Sequence, residues 1–240
     1  IHGLLMERTA VVERIAAVKQ AAGTNRGAGF FRPGRAAMVL RRLVARHRGP
    51  FPKRAIVRIW REIMAGQLRV QTPIPVAIQV DGRQGTCWDL ARDQFGVAAT
   101  AMAMTSPVQV IRAIRDGRAI IGVVPVPGDG APDPWWPLLA TSDSDRPSIV
   151  ARLPFAPPAG ASGPGALVIA RLAPESTGDD WSYLAIESRG EISVSSLVRD
   201  LALSDLEVRH IAQMAATSSS GSALHLVQVP GLVLDDDARL

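Results

Sequence analysis

The chain has little of several things that would direct its reading elsewhere. It holds a single cysteine, Cys87, in 240 residues, which excludes an internal disulfide framework and any cysteine-based zinc cluster, and fits a reducing compartment. Cys87 itself reads as a small buried residue. Only four histidines occur, His2, His47, His210 and His225, with no metal-ligand spacing among them or with Cys87, so solvated or packing roles are expected and neither a metal nor another cofactor is assigned. No apolar run approaches the roughly 20 residues needed to cross a bilayer. No signal peptide is visible, and the chain opens at Ile1 without an initiator methionine, inside a helical pattern, so part of the natural N-terminus is expected to be missing. Cytoplasmic localisation follows as the expectation.

Acidic residues are also scarce, but only at one end. Residues 1–71 contain fifteen Lys and Arg against Glu7, Glu13 and Glu62, a net charge of +12, while the remainder carries twelve cations against nineteen acids, net −7. Such asymmetry points to an anionic partner for the first segment. That segment lacks interleaved aromatics and any nucleic-acid docking motif, so a small polyanion is favoured over nucleic acid.

Residues 1–20 place Leu4, Leu5, Val11, Val12, Ile15 and Val18 mostly at three- and four-residue steps, which predicts a helix packing by that face. Arg8 and Lys19 are eleven residues apart, about three turns, so both project from nearly the same side. A glycine-rich loop follows, with Arg32-Pro33-Gly34 as a turn or Pro33 as the first turn of the next helix. A second helix is expected from about Gly34 to Arg48, with Met38, Val39, Leu43 and Val44 inward and Gly49-Pro50 ending it. A third begins near Pro52 and packs through Ile56, Ile59, Trp60, Ile63, Met64 and Leu68, with Gln67 and Gln71 sharing a face near its end.

LLMER, eleven residues to Lys19, RPGRAAMVLRRL, GPFP and IWREIMAGQLRVQ, in this order and spacing, resemble the successive helices of AroQ, all-helical type II chorismate mutases. The likeness covers nearly all of residues 1–71. It implies rearrangement of chorismate to prephenate, a pericyclic step that passes no proton to the enzyme. Cationic forks hold the dicarboxylate in its reactive conformer, and donors meet the negative charge growing on the ether oxygen. By motif position, Arg8 and Arg35 would bind carboxylate, Lys19 would bridge a carboxylate and the ether oxygen, and Gln71 would donate to that oxygen. Gln67 would touch a carboxylate, and the backbone near Arg32 would face the ring hydroxyl. Two departures stand out. Ala36 occupies the place of the family's glutamate, which accepts from the ring hydroxyl. The family's arginine that reaches into the neighbouring protomer's site would come from a segment preceding Ile1. The resemblance also implies a homodimer with interlocked helices.

Gln71-Thr72-Pro73-Ile74-Pro75 ends the helical texture. Beyond it PVAIQV, AATAMAM and IIGVVPV read as strands, alternating with helices TCWDLARDQFG, stopped by Gly96, and SPVQVIRAIRDGRA, with Ser106 at its N-cap and Pro107 in its first turn. This order implies a parallel sheet with right-handed crossovers. GRQGTCWDLA and RDGRAIIGVVPV resemble the first, periplasmic-binding-protein-like lobe of prephenate dehydratase. The dehydratase Glu-Asn-Ser is replaced by Val126-Pro127-Gly128-Asp129, and its Thr-Arg-Phe triplet does not occur, so no dehydratase activity is expected. Thr86 remains as a helix cap or an anion contact. Residues 129–166, rich in proline and glycine, read as a covered loop and a linker, with Trp135 and Trp136 plugging a surface over the second core. ALVIARLAP, WSYLAIES, the helix SVSSLVRDLAL, LEVRHIAQM and SALHLVQV then resemble an ACT regulatory domain, which implies an aromatic amino-acid effector. Its ligand turn would fall at Gly190-Glu191-Ile192; Glu187-Ser188-Arg189, which echoes a dehydratase triplet, precedes the helix rather than following it and carries no role.

The expected architecture is therefore multi-domain: all-α mutase helices over 1–71, an α/β lobe over 72–155, and a linker with an α+β ACT-like region over 156–240. The leading function is chorismate mutase, an isomerase of aromatic amino-acid biosynthesis. A catalytically weak or inactive ligand-sensing protein of the same pathway is the alternative, motivated by Ala36.

Overall fold

The computed structural model describes residues 1–23, 30–80, 86–128, 134–141, 143, 145–155, 165–189, 192–204, 206–215, 222–234 and 236–239. The turn at 82–85, Asp129, Gly190 and Glu191, all invoked above, lie outside the described residues. The chain divides into two compact units, one of Ile1–Val126 with Pro147–Ala173, the other of Pro127–Arg146 with Pro174–Leu240.

The first unit opens with α1 (His2–Ala21), α2 (Pro33–Arg46) and α3 (Lys53–Gln71). Pro33 lies in the first turn of α2, where its missing N–H costs nothing. Ala37, Leu40 and Val57 are buried, and Ala65 is buried beside Gly96. Of the six residues expected on the inward face of α1, two are covered in part and four are exposed. Leu5 and Val12 are half-buried and Ala16 is buried, but Leu4 is 69%, Val11 53%, Ile15 44% and Val18 68% exposed. At 100° per residue Leu5, Val12 and Ala16 form one strip, and Leu4, Val11, Ile15 and Val18 form a second beside it. One chain's α2 and α3 cannot cover both. Met38 and Ile59, expected inward, are likewise exposed.

α3 docks on the α/β part through its other side. Glu62 accepts from the Val97 amide at 3.2 Å, beside Gly96, whose positive φ of 81° ends α4 (Thr86–Phe95) as anticipated. Phe31 and Phe95 pack with ring centroids 5.7 Å apart. The neighbouring strands are β1 (Val76–Gln79), β2 (Ala101–Met104) and β3 (Ile121–Pro125), with α5 (Pro107–Arg115) between the last two. Ser106 caps α5, its hydroxyl accepting from the Gln109 amide at 3.3 Å. β1 pairs in parallel with β2 and β3. Gly122 is required at the α5 contact: a Cβ there would lie 2.5 Å from Val110 Cγ1 and 2.8 Å from Ile114 Cδ1.

The sheet does not end at β3, and here the expectation is corrected. β5 (Ala166–Ala170), read from sequence as the opening of the last region, pairs antiparallel with β3. β4 (Ser148–Leu153), inside the segment read as loop and linker, pairs antiparallel with β5. The sheet order is β2-β1-β3-β5-β4. All five residues of β5 are fully buried, the mark of a central strand covered on both faces.

In the second unit β6 (Trp181–Arg189), α6 (Val194–Leu203), β7 (Arg209–Ala215) and β8 (Ser222–Pro230) form an antiparallel sheet of order β6-β8-β7. Leu197, Val227, Val229 and Val233 make its core. Trp135 and Trp136 are buried beside a short 3-10 turn, Trp136–Leu139, in the segment grouped with this unit. His210 and His225, distant in sequence, stack edge to face at 5.9 Å, and the buried Ser188 hydroxyl lies 3.1 Å from His225 Nε2. Burial first, and the proximity of His210 second, push His225 below the usual imidazole range.

Candidate active site

The concentration of cations on the three helices sets the field of the site. Among the three acids of this segment, Glu62 is turned to the Val97 amide, and Glu7 and Glu13 are exposed. A small dianion approaching α1–α3 therefore meets a positive surface.

Arg8 and Arg35 are exposed, and neither has a partner among the described residues. A guanidinium left in water with its fork unoccupied keeps all its donors for an incoming carboxylate. Arg35 stands in the first turn of α2, whose N-cap Arg32 supplies no side-chain cap, so the positive end of the helix dipole adds to its charge. Arg32 is exposed, and its carbonyl accepts from the Ala36 amide at 3.0 Å. The backbone expected to face the ring hydroxyl is thus already engaged in the first helical hydrogen bond, with one lone pair left.

Lys19 sits near the C-terminal end of α1, half-buried, with Nζ 5.4 Å from the centre of the Phe30 ring. The rise from Arg8 to Lys19 is about 16 Å along the axis. Phe30 lies three residues before the start of α2, so this contact brings Lys19 towards the chain that leads into the N-terminus of α2.

Gln67 and Gln71 do share one face of α3. Gln67 is buried, and its Nε2 donates to Thr9 Oγ1 at 2.9 Å. Thr9 in turn donates to the Leu5 carbonyl at 2.8 Å. Gln67 Oε1 is buried with no partner among the described residues, an acceptor that a ligand donor or water can satisfy. Gln71 Nε2 reaches back to the Gln67 carbonyl at 3.3 Å, a long bond that is readily exchanged for a ligand acceptor.

Thr9, Gln67 and Gln71 are thus linked by hydrogen bonds at the α1–α3 contact, and Lys19 meets Phe30 ahead of α2, while Arg8 and Arg35 stand exposed on their own helices. Thr9 escaped the sequence reading. Its signal was a lone hydroxyl among apolar helix residues, adjacent to Arg8, where threonine otherwise competes with the helix backbone. Ala36 is half-buried in the first turn of α2, presenting a methyl where the resemblance calls for a carboxylate. Guanidinium, ammonium and amide groups of this kind can hold carboxylates and donate to an oxygen. No general base is among them, and a concerted rearrangement needs none.

Residues 1–72 match the family described as chorismate mutase type II. The chain is 34% identical over 125 residues to a bifunctional chorismate mutase/prephenate dehydratase of Pseudomonas aeruginosa, covering 51% of this chain and 34% of that protein. It is 33% identical over 128 residues to the protein of the same description from Stutzerimonas stutzeri, covering 52% and 34%. The matched segment therefore spans about a third of the length of these curated relatives. Among solved structures, one described as GqqA, a novel type of quorum quenching acylase, superposes with a TM-score of 0.48 at 18% identity, covering 66% of this chain and 80% of that one. A prephenate dehydratase from Streptococcus mutans superposes with a TM-score of 0.47 at 14% identity, covering 65% and 82%. Both likenesses are too distant to bear on function.

Proposed function

We propose, from the type II chorismate mutase domain that residues 1–72 form, that this chain rearranges chorismate to prephenate in phenylalanine and tyrosine biosynthesis. In that step the ether C–O bond breaks as a C–C bond forms, and no proton is exchanged with the protein. Arg8 and Arg35 clamp the two carboxylates. Lys19 bridges a carboxylate and the ether oxygen, Gln71 donates to that oxygen, and Gln67 contacts a carboxylate. The observation that supports the reading is the pair of exposed arginines without partners among the described residues, Arg8 on α1 and Arg35 on α2, in a domain of matching family.

Three finer readings accompany it. The uncovered strip of Leu4, Val11, Ile15 and Val18 on α1 supports a homodimer with interlocked helices, since three short helices alone bury little surface. The replacement of the dehydratase Glu-Asn-Ser by a segment beginning Val126-Pro127-Gly128 supports absence of dehydratase activity in the otherwise periplasmic-binding-protein-like lobe. The β6-α6-β7-β8 order, with β8 central, matches the first four of the six elements of a split βαββαβ arrangement and supports an ACT-like region taking an aromatic amino acid. Cytoplasmic localisation is proposed with these.

Ala36 favours the second reading, a catalytically weak or inactive sensor of the pathway. Following chorismate loss by ultraviolet absorbance with the wild-type chain and with Ala36→Glu separates the two. Turnover by the wild type supports the mutase, turnover by Ala36→Glu alone supports a mutase scaffold lacking its hydroxyl acceptor, and silence from both sinks the enzyme reading.

A further inference from the structure

Two further cations of the first unit, neither of them assigned to chorismate, meet around Phe155, just beyond the end of β4. The guanidinium carbon of Arg61, on α3, lies 5.5 Å from the centre of the Phe155 ring, and that of Arg41, on α2, lies 5.9 Å from the same centre. One aromatic ring thus receives two like charges, each attracted by its π electrons and repelled by the other. All three residues are half-buried.

Nε and Nη2 of Arg61 are buried with no partner among the described residues. These two donors share one edge of the guanidinium, and such an edge grips an oxyanion with two parallel bonds. Burial pushes the Arg61 guanidinium below its ordinary range, opposed by the charge of Asp93. Asp93 is itself paired with Arg58 at 3.3 Å. The elements that carry the two arginines and Phe155 offer no other counter-ion. Glu62, the one acid of α3, accepts from the Val97 amide at 3.2 Å. α2 contains no acid, and none occurs in the sequence between Asp145 and Glu175, the stretch that holds β4, Phe155 and β5. A buried charge left unpaired is costly, so an anion from outside the chain completes the arrangement. A carboxylate would fill the fork of Arg61 and leave one positive charge over. A phosphate group brings close to two negative charges and acceptor oxygens for both guanidinia.

We propose that Arg61 and Arg41, walled by Phe155, form a binding site for a phosphate group, with the Nε–Nη2 edge of Arg61 taking two of its oxygens and Arg41 supplying the second charge. The site uses no residue assigned to chorismate and does not rest on the mutase reading.

Calorimetric titration of the 240-residue chain with inorganic phosphate and with acetate, at constant ionic strength, tests it. The expected result is saturable one-to-one binding of phosphate, about tenfold or more tighter than acetate. Arg61→Gln removes charge and fork together and weakens phosphate about tenfold or more, whereas Arg61→Lys restores only part of the loss, since an ammonium cannot make the two parallel bonds. Arg41→Gln weakens it as well and carries the test should circular dichroism show that Arg61→Gln does not fold. A chain with Arg8→Gln and Arg35→Gln binds phosphate as the wild type does. Glycerol phosphate in the same titration tells the source: tighter binding of the ester assigns a phosphorylated metabolite, tighter binding of the free ion assigns inorganic phosphate, and either supports the site. No saturable phosphate binding by the wild type overturns the proposal, and acetate binding as tightly as phosphate overturns the pairing of two cations with one dianion. So does phosphate binding that Arg61→Gln and Arg41→Gln leave unchanged, or that is lost with Arg8→Gln and Arg35→Gln, which would place the anion on the mutase residues.

Discussion

Restoring a carboxylate at position 36 is the sharpest perturbation of the active-site account. Ala36 is half-buried in the first turn of α2, one residue from Arg35 and at the positive end of the helix dipole. A glutamate there meets favourable electrostatics before any substrate arrives, so Ala36→Glu should leave stability unchanged or raise it by about 0.3 to 1 kcal/mol. With substrate bound, the carboxylate accepts from the ring hydroxyl, a charged hydrogen bond of about 1.5 to 3 kcal/mol. At about 1.4 kcal/mol per tenfold, kcat/KM for chorismate rises roughly tenfold to hundredfold. Initial rates of chorismate loss by absorbance, with urea denaturation alongside, give both quantities. An unchanged or lower kcat/KM in a variant of undiminished stability would refute the placement of residue 36 against the ring hydroxyl.

Other perturbations have equally definite outcomes. Thr9→Val removes the acceptor of the buried Gln67 amide and should cost about 1 to 3 kcal/mol in denaturant unfolding. Gly122→Ala forces a Cβ to within 2.5 Å of Val110 Cγ1 and should destabilise the first unit by about 1 to 3 kcal/mol, read as a lower unfolding midpoint. His225 is held below its ordinary range by burial and by His210. The unfolded chain therefore takes up a proton near pH 6.5 that the folded chain refuses, so stability present above about pH 6.5 is lost as pH falls. His225→Gln should flatten that fall in denaturation midpoints between neutral and mildly acidic pH; an unchanged slope would assign it to other groups.

Much of this was legible in the sequence wherever the signal is local. Ser106 and Gly96 mark the ends of α5 and α4 because capping chemistry lies within a few residues of what it caps, and the alternation of strand and helix sets the β2-β1-β3 core of the sheet. What escaped depends on distant partners. The ALVIA run is a five-residue apolar stretch with nothing to say that it pairs with β3, and β4, among prolines and glycines, pairs with β5, a strand the sequence placed in another region. All six named apolar residues of α1 were assigned to one packing face, although Leu4, Val11, Ile15 and Val18 lie on a second strip and are exposed. At the site, cations and glutamines could be placed by spacing, but the bond from Gln67 to Thr9 could not, since fifty-eight residues separate its ends.

The central claim, that residues 1–72 rearrange chorismate with Lys19 meeting the charge that grows on the ether oxygen, is tested most directly by comparing wild-type and Lys19→Ala chains. Chorismate disappearance is followed by absorbance and prephenate formation confirmed. The account predicts turnover by the wild type and a loss in kcat/KM on the order of 100-fold or more in the variant, as for removal of a donor aimed at developing charge, with the helical fold retained. Equal rates in the two proteins would contradict it.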